Sequence, residues 1–275
     1  MDKAIIIGIY NFVGFQICHT LLNKGIEVNG IHIDSKTDPF LEEKRLEIGR
    51  NANFVESSLS KWNVSENGND LKKQILIFPI YDFYILREEA MLEKEILVNK
   101  VIQYLEEKKG NSNIVIIAPI QLLAQNLPSM NTLLEQMRGL DPNIQFIFLP
   151  AIFGPWQPSM FLFQQAIISS FQKCKISLSD REWTKDALFA ADAAEAIFEI
   201  IESANPGSYL LESGKNNYWE KCAGYLAEIS KLKDQRESIQ IDSKIMRVPV
   251  KCLTPITEAL NFQKEHVKMH YHWRP

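Results

Sequence analysis

Gly8 and Gly14 frame a turn through Ile9, Tyr10, Asn11, Phe12 and Val13 whose residue types suit phosphate chemistry. The apolar run before it, Ala4 to Ile7, reads as a strand. After it, Phe15, Cys18, Leu21 and Leu22 keep helical spacing and Gly25 closes the helix. A glycine turn that opens a helix lets backbone N–H groups approach a pyrophosphate at the positive end of the helix dipole. A second strand, 26–33, ends on Asp34 with Ser35 beside it, and an acid at that place accepts hydrogen bonds from ribose hydroxyls. The full fingerprint has three glycines spaced three apart, and here the middle one is Asn11. Asparagine tolerates left-handed backbone, so the turn survives, but its side chain takes space that a phosphate needs. The opposing reading is a βαβ unit whose glycines serve only the turn and helix packing.

Other reactive residue types form weaker groups. His266 and His270 stand one helical turn apart with His272 close by, a spacing that suits a metal; no carboxylate or cysteine group completes a site, so they read as a solvated face. Cys18, Cys174, Cys222 and Cys252 are widely separated, without a CxxC pair, and read as free thiols in a reducing cytoplasm. No metal is expected. The net charge of −4 over 275 residues leaves no basic footprint for nucleic acid. The chain lacks both a basic leader with a long apolar stretch and any membrane-length apolar run, so a cytoplasmic protein without a membrane partner is expected.

These residues need a scaffold. Apolar runs at 74–78, 113–118 and 145–149 and the short segment 53–56 read as further strands, and helical patterns fall around 41–46, over 87–109 and over 129–137. The alternation predicts an α/β fold, a Rossmann-like doubly wound parallel sheet covered on both faces. From Pro150 the alternation weakens. A turn at 154–158 leads to helices over 160–171 and 190–203, the latter capped by Asp192. A strand over 208–211 and helices over 217–231 and 255–273 complete the chain. The expectation is a dinucleotide-binding domain over 1–150 and a small C-terminal substrate lobe built mainly from 151–275. The two would pack as one unit, with a ligand cleft between them at the carboxyl ends of the strands.

The order of these motifs resembles the extended short-chain dehydrogenase/reductase family, of the NAD-dependent epimerase/dehydratase type that acts on nucleotide sugars. The likeness spans nearly the whole chain. It is carried by Gly8, Gly14 and Asp34, by Leu97-Val98-Asn99, by Phe153-Gly154-Pro155-Trp156-Gln157, and by the stretch from Asp186-Ala187-Leu188-Phe189 through Asp192 to Ala196. The resemblance implies NAD as cofactor, held by Gly8, Tyr10, Asn11, Phe12, Val13, Gly14, Asp34 and Ser35. Binding would be weak because of Asn11, and NAD would be preferred to NADP because Asp34 repels a 2′-phosphate. It also implies a nucleotide-sugar ligand touching Phe153, Gly154, Trp156 and Gln157, and a homodimer through the helix over 87–109, whose apolar stripe is compatible with that role.

The family's proton-transfer chemistry uses a Tyr-x-x-x-Lys pair after the fifth strand and a hydroxyl at that strand's end. Those positions hold Leu127, Asn131 and Ala118. A shifted alignment does not restore them, since no tyrosine lies between Tyr104 and Tyr209 and no lysine between Lys109 and Lys173. The pair Tyr104 and Lys108 is on the preceding helix and reads as a surface coincidence. The connection from Ala118 to Leu127 is also much shorter than the family's active-site loop. The leading reading is a catalytically degenerate, pseudoenzyme member that binds NAD or a nucleotide sugar. The alternatives are an active nucleotide-sugar enzyme using unrecognised groups, and a non-catalytic structural or regulatory partner.

Overall fold

The computed structural model describes residues 1–33, 38–64, 73–107, 113–125, 127–172, 174–177, 179–230 and 239–271. Its main sheet contains β1 (Lys3–Ile7), β2 (Glu27–His32), β3 (Phe54–Ser58), β4 (Gln74–Pro79), β5 (Asn113–Pro119), β6 (Gln145–Leu149), β9 (Gly207–Glu212) and β10 (Ile245–Pro249), in the order β10-β9-β6-β5-β4-β1-β2-β3. All the pairings are parallel. The central strands are buried on both faces, which is why they read as unbroken apolar runs rather than as alternations. From β1 the chain winds outward to β3 and then returns to β4 on the other side of β1. The topological switch point therefore lies between β1 and β4, with its crevice at their carboxyl ends.

Helices α1 (Phe12–Asn23), α2 (Leu41–Ile48), α4 (Glu95–Glu107), α5 (Pro128–Leu140) and α7 (Ala190–Ser203) flank the sheet. A second, smaller core is formed by a two-stranded pair, β7 (Ala151–Phe153) and β8 (Ala187–Phe189), with α6 (Leu162–Phe171), α8 (Tyr218–Ala223) and α9 (Ile256–His270). Phe153, Phe163, Trp219 and Val267 are buried there together. Strands β9 and β10, although they come after residue 150, extend the main sheet past β6.

Several elements depart from the sequence reading. The helix expected over 87–109 is broken. A short, wholly buried helix, α3 (Tyr81–Ile85), follows β4, and Arg87 (φ 58) is its left-handed terminus: the Glu88 N–H returns to the Phe83 carbonyl at 2.7 Å. A 3-10 turn (Glu89–Glu93) and an extended Lys94 come before α4. On α4, Leu97, Val101, Tyr104 and Leu105 are buried in the chain's own core, leaving Ile96 as its exposed large apolar residue. Tyr104 is thus no surface residue; it packs against Trp62. The helix expected over 217–231 stops at Ala223, where Gly224 follows. Asp192 does not cap α7. Its carboxylate instead accepts the Thr254 N–H (2.8 Å) and hydroxyl (2.7 Å), tying α7 to the segment before α9.

Candidate functional site

The glycine turn forms as its sequence requires. Gly8 has φ 74, its N–H and that of Ile9 both reach the Ile31 carbonyl, and the Asn11 N–H closes on Gly8 O at 2.9 Å. A Cβ on Gly14 would lie 2.7 Å from that same oxygen, so the helix packs against the turn only with glycine there. Asn11 is extended (φ −66, ψ 153), and the left-handed tolerance expected of it is not used. Its side chain lies back over the turn, 2.9 Å from where a Gly8 Cβ would be, and does not cap α1.

The side chains of the turn face protein. Tyr10 is buried, donates its hydroxyl to Glu56 Oε2 at 2.7 Å and stacks edge-on against His32. Phe12 packs its ring edge-on against Phe161. The Val13 N–H, which points where a helix N-terminus receives an anion, donates to Asp82 Oδ2 at 2.9 Å. Asp82 is fully buried, and burial pushes its carboxyl up to about 7 against the pull of the Val13 hydrogen bond and the Lys44 charge. Lys44, buried on α2, donates to the Tyr10 carbonyl (2.8 Å) and to Asp38 (2.7 Å). Asp34 and Ser35 lie outside the described residues. The backbone of the turn suits a dinucleotide; the anion position at α1 is filled by the protein's own carboxyl.

Phe153, Gly154, Trp156 and Gln157 lie where the smaller core, with its helix α9, meets α1. Phe153 stacks on Phe163 with ring centroids 4.9 Å apart, and Gly154 (φ 152) passes against Ala190 and Phe189. Trp156 is 5% exposed, wedged among Phe15, Phe40, His266 and His270, with Nε1 donating to Glu47 at 2.9 Å. Gln157 donates to the Ile152 carbonyl and accepts from Gln263, which also donates to Gln164. His266 is therefore buried rather than on a solvated face, and burial lowers its pKa to about 4, keeping it neutral. Burial alone would push Glu47 up, yet hydrogen bonds from His19 and Trp156 hold its carboxyl below the usual range.

At the proton-transfer positions, Ala118 is fully buried in β5 and Leu127 is the residue before α5. Asn131 lines a cavity of about 520 Å³ beside α5 with Glu135, Arg138, Phe148 and Lys244. Two tyrosines that the motif reading passed over stand near these strand ends. Tyr81 is fully buried, its hydroxyl held between Pro150 O (3.0 Å) and Ile152 N (3.2 Å). Tyr84 donates to Gln125 at 2.8 Å beneath the Arg181 guanidinium. Asp82 itself had a signal, being the single charged residue in the run from Ile75 to Leu86.

A second cavity, of about 400 Å³, opens at the carboxyl end of β9, with Arg247 reaching it from the middle of β10. Lys185, Lys215 and Arg247 bring positive charge to it, with Arg247 paired to Glu212 of the same wall at 3.4 Å, Trp183 brings an aromatic ring, and Gly214 to Asn217 a polar turn. Asp186, also on its wall, is engaged by the Ala187 and Ser213 N–H groups. Among the described residues no group of three or more His, Cys, Asp or Glu side chains could hold a metal, and no helix is long and apolar enough to cross a membrane.

Neither a protein-family model nor a curated protein sequence matches the chain. Solved structures do match it over nearly its full length. The UDP-glucuronic acid 4-epimerase of Bacillus cereus in complex with NAD superimposes with a TM-score of 0.69 at 14% identity, covering 98% of this chain and 100% of the other. WbmH of Bordetella bronchiseptica in complex with NAD+ gives 0.68 at 17%, covering 98% and 99%. The dTDP-glucose 4,6-dehydratase of Bacillus anthracis in complex with NAD gives 0.68 at 12%, covering 99% and 98%. The chain shares the α/β fold of these NAD-bound epimerase and dehydratase structures. At these identities the likeness defines the fold, and activity has to be argued from the site.

Proposed function

We propose that this chain is a non-catalytic protein of epimerase/dehydratase type that binds a nucleotide sugar without transforming it. The observation that carries the reading is the occupancy of the proton-transfer positions by Ala118, Leu127 and Asn131, none of which exchanges a proton near neutral pH. Binding is supported by the cavity beyond β9 and β10. Its cations and aromatic face suit a diphosphate and a base, and proteins of the same fold act on UDP- and dTDP-linked sugars. Calorimetry with UDP- and dTDP-sugars, beside product chromatography in the presence of NAD, tests both halves. Binding without product is expected, weakened by Arg247→Ala combined with Lys185→Ala. Product formation would overturn the non-catalytic half, and absence of binding the other.

The second reading is an active enzyme, favoured by one cluster: Tyr84, Gln125 and Arg181 near the end of β5. Turnover abolished by Tyr84→Phe would establish it.

A further inference from the structure

We propose that Asp82 is a built-in occupant of the phosphate seat at the N-terminus of α1, so that the chain closes its own dinucleotide crevice. The inference goes beyond the non-catalytic reading and does not depend on the missing proton-transfer groups.

Helix α1 carries no acid in its first turn and receives no side-chain cap from Asn11. Its leading amides would face the crevice unsatisfied, the condition under which a helix end draws an anion. Asp82 meets that demand from 69 residues away in sequence, whereas a carboxylate that merely caps a helix ordinarily comes from the helix's own first residues. It is fully buried, and only Oδ2 is matched; Oδ1 has no hydrogen-bond partner. A buried acid with an unmatched oxygen is costly, so it is poorly explained as packing and well explained as filling a seat shaped for a larger anion. Lys44 supplies the nearby positive charge while bonded to the Tyr10 carbonyl of the same turn.

The carboxyl is also held in place. It rides on α3, every residue of which is buried, and its neighbour Tyr81 is hydrogen-bonded to Pro150 and Ile152 beyond β6. A pyrophosphate entering the crevice would have to displace Asp82 and uproot that helix, and above the titration range of the carboxyl it would meet like charge before doing so.

The test compares the wild type with Asp82→Ala and Asp82→Asn, above the titration range of the carboxyl, by thermal unfolding and calorimetry with formate, inorganic pyrophosphate and NAD. Asp82→Ala should unfold at a lower temperature, regain part of the loss with formate or pyrophosphate, and bind NAD at least about tenfold more tightly than the wild type. Asp82→Asn fills the same volume and should do neither. Equal NAD affinity of wild type and Asp82→Ala, or a folded Asp82→Ala that responds to none of the three probes, would overturn the proposal. Should Asp82→Ala not fold, the wild-type Val13 amide decides. Slow hydrogen exchange, with a resonance that titrates in the wild type and not in Asp82→Asn, supports the assignment; exchange as fast as an open turn amide overturns it.

Discussion

Asp82 makes this protein's stability depend on pH in a direction opposite to that of a salt-bridged acid. Its carboxyl sits at about 7 when folded, against about 3.9 for a free aspartate. Between those values the native chain holds a proton that the unfolded chain has released, so stability falls as pH rises through the window. The slope is on the order of 1.4 kcal/mol per pH unit. Glu47 and Glu56, whose pKa values are lowered, act the other way, their contribution being lost as pH falls through their own range. Urea unfolding from pH 4.5 to 7.5 should therefore show a gap between Asp82→Asn and the wild type that grows in the variant's favour with pH. Parallel profiles would mean that Asp82 titrates as an ordinary acid. At this scale the sequence was partly legible: Gly8 and Gly14 announced their turn, because a tight turn leaves its mark in residue type. The partner of the Val13 amide did not, because nothing local says that Asp82, 69 positions on, will fold back onto α1.

Elements were readable in proportion to their length and burial. The buried strands β4, β5 and β6 and the amphipathic α7 stood out because a run or a period is repeated several times within each. Helix α3 has five residues and β7 and β8 three each, too few for any period to show. Strand β10, Ile245–Pro249, escaped because it is an edge strand with Met246 60% exposed. The same dependence on elements governs catalysis. Helix α5 starts at Pro128, directly after Leu127, and Asn131 lines the cavity it shares with Arg138 and Phe148. Installing Leu127→Tyr with Asn131→Lys would supply the residue types without placing them within hydrogen-bond reach of a bound sugar. No turnover above the wild-type level is expected by product chromatography; appearance of product in the double variant alone would show that position is less restrictive than the fold implies.

At the scale of the whole molecule, the sheet has an asymmetric history along the chain. Strands β1 and β2, β2 and β3, and β5 and β6 pair across connections built around one α-helix each, and the longest connection, 8–73 between β1 and β4, carries two strands of the same sheet. By contrast, Gln145 of β6 lies beside Gly207 of β9, and the entire β7–β8 unit with α6 and α7 is looped out between them. Zipping β9 onto β6 thus requires closing a connection second in length only to that between β1 and β4, with a separate small core between its ends, and closure entropy grows with length. With β10 also a largely exposed edge strand, the β9–β10 margin should be the last part of the sheet to form and the first to open. Hydrogen exchange monitored residue by residue in dilute denaturant should find amides of β9 and β10 exchanging through a smaller opening than those of β1, β4 and β5. Since the second cavity is lined by the carboxyl end of β9 and by Arg247 of β10, a ligand that fills it would raise the protection of this margin selectively. Binding would then register as a change in which part of the protein melts first.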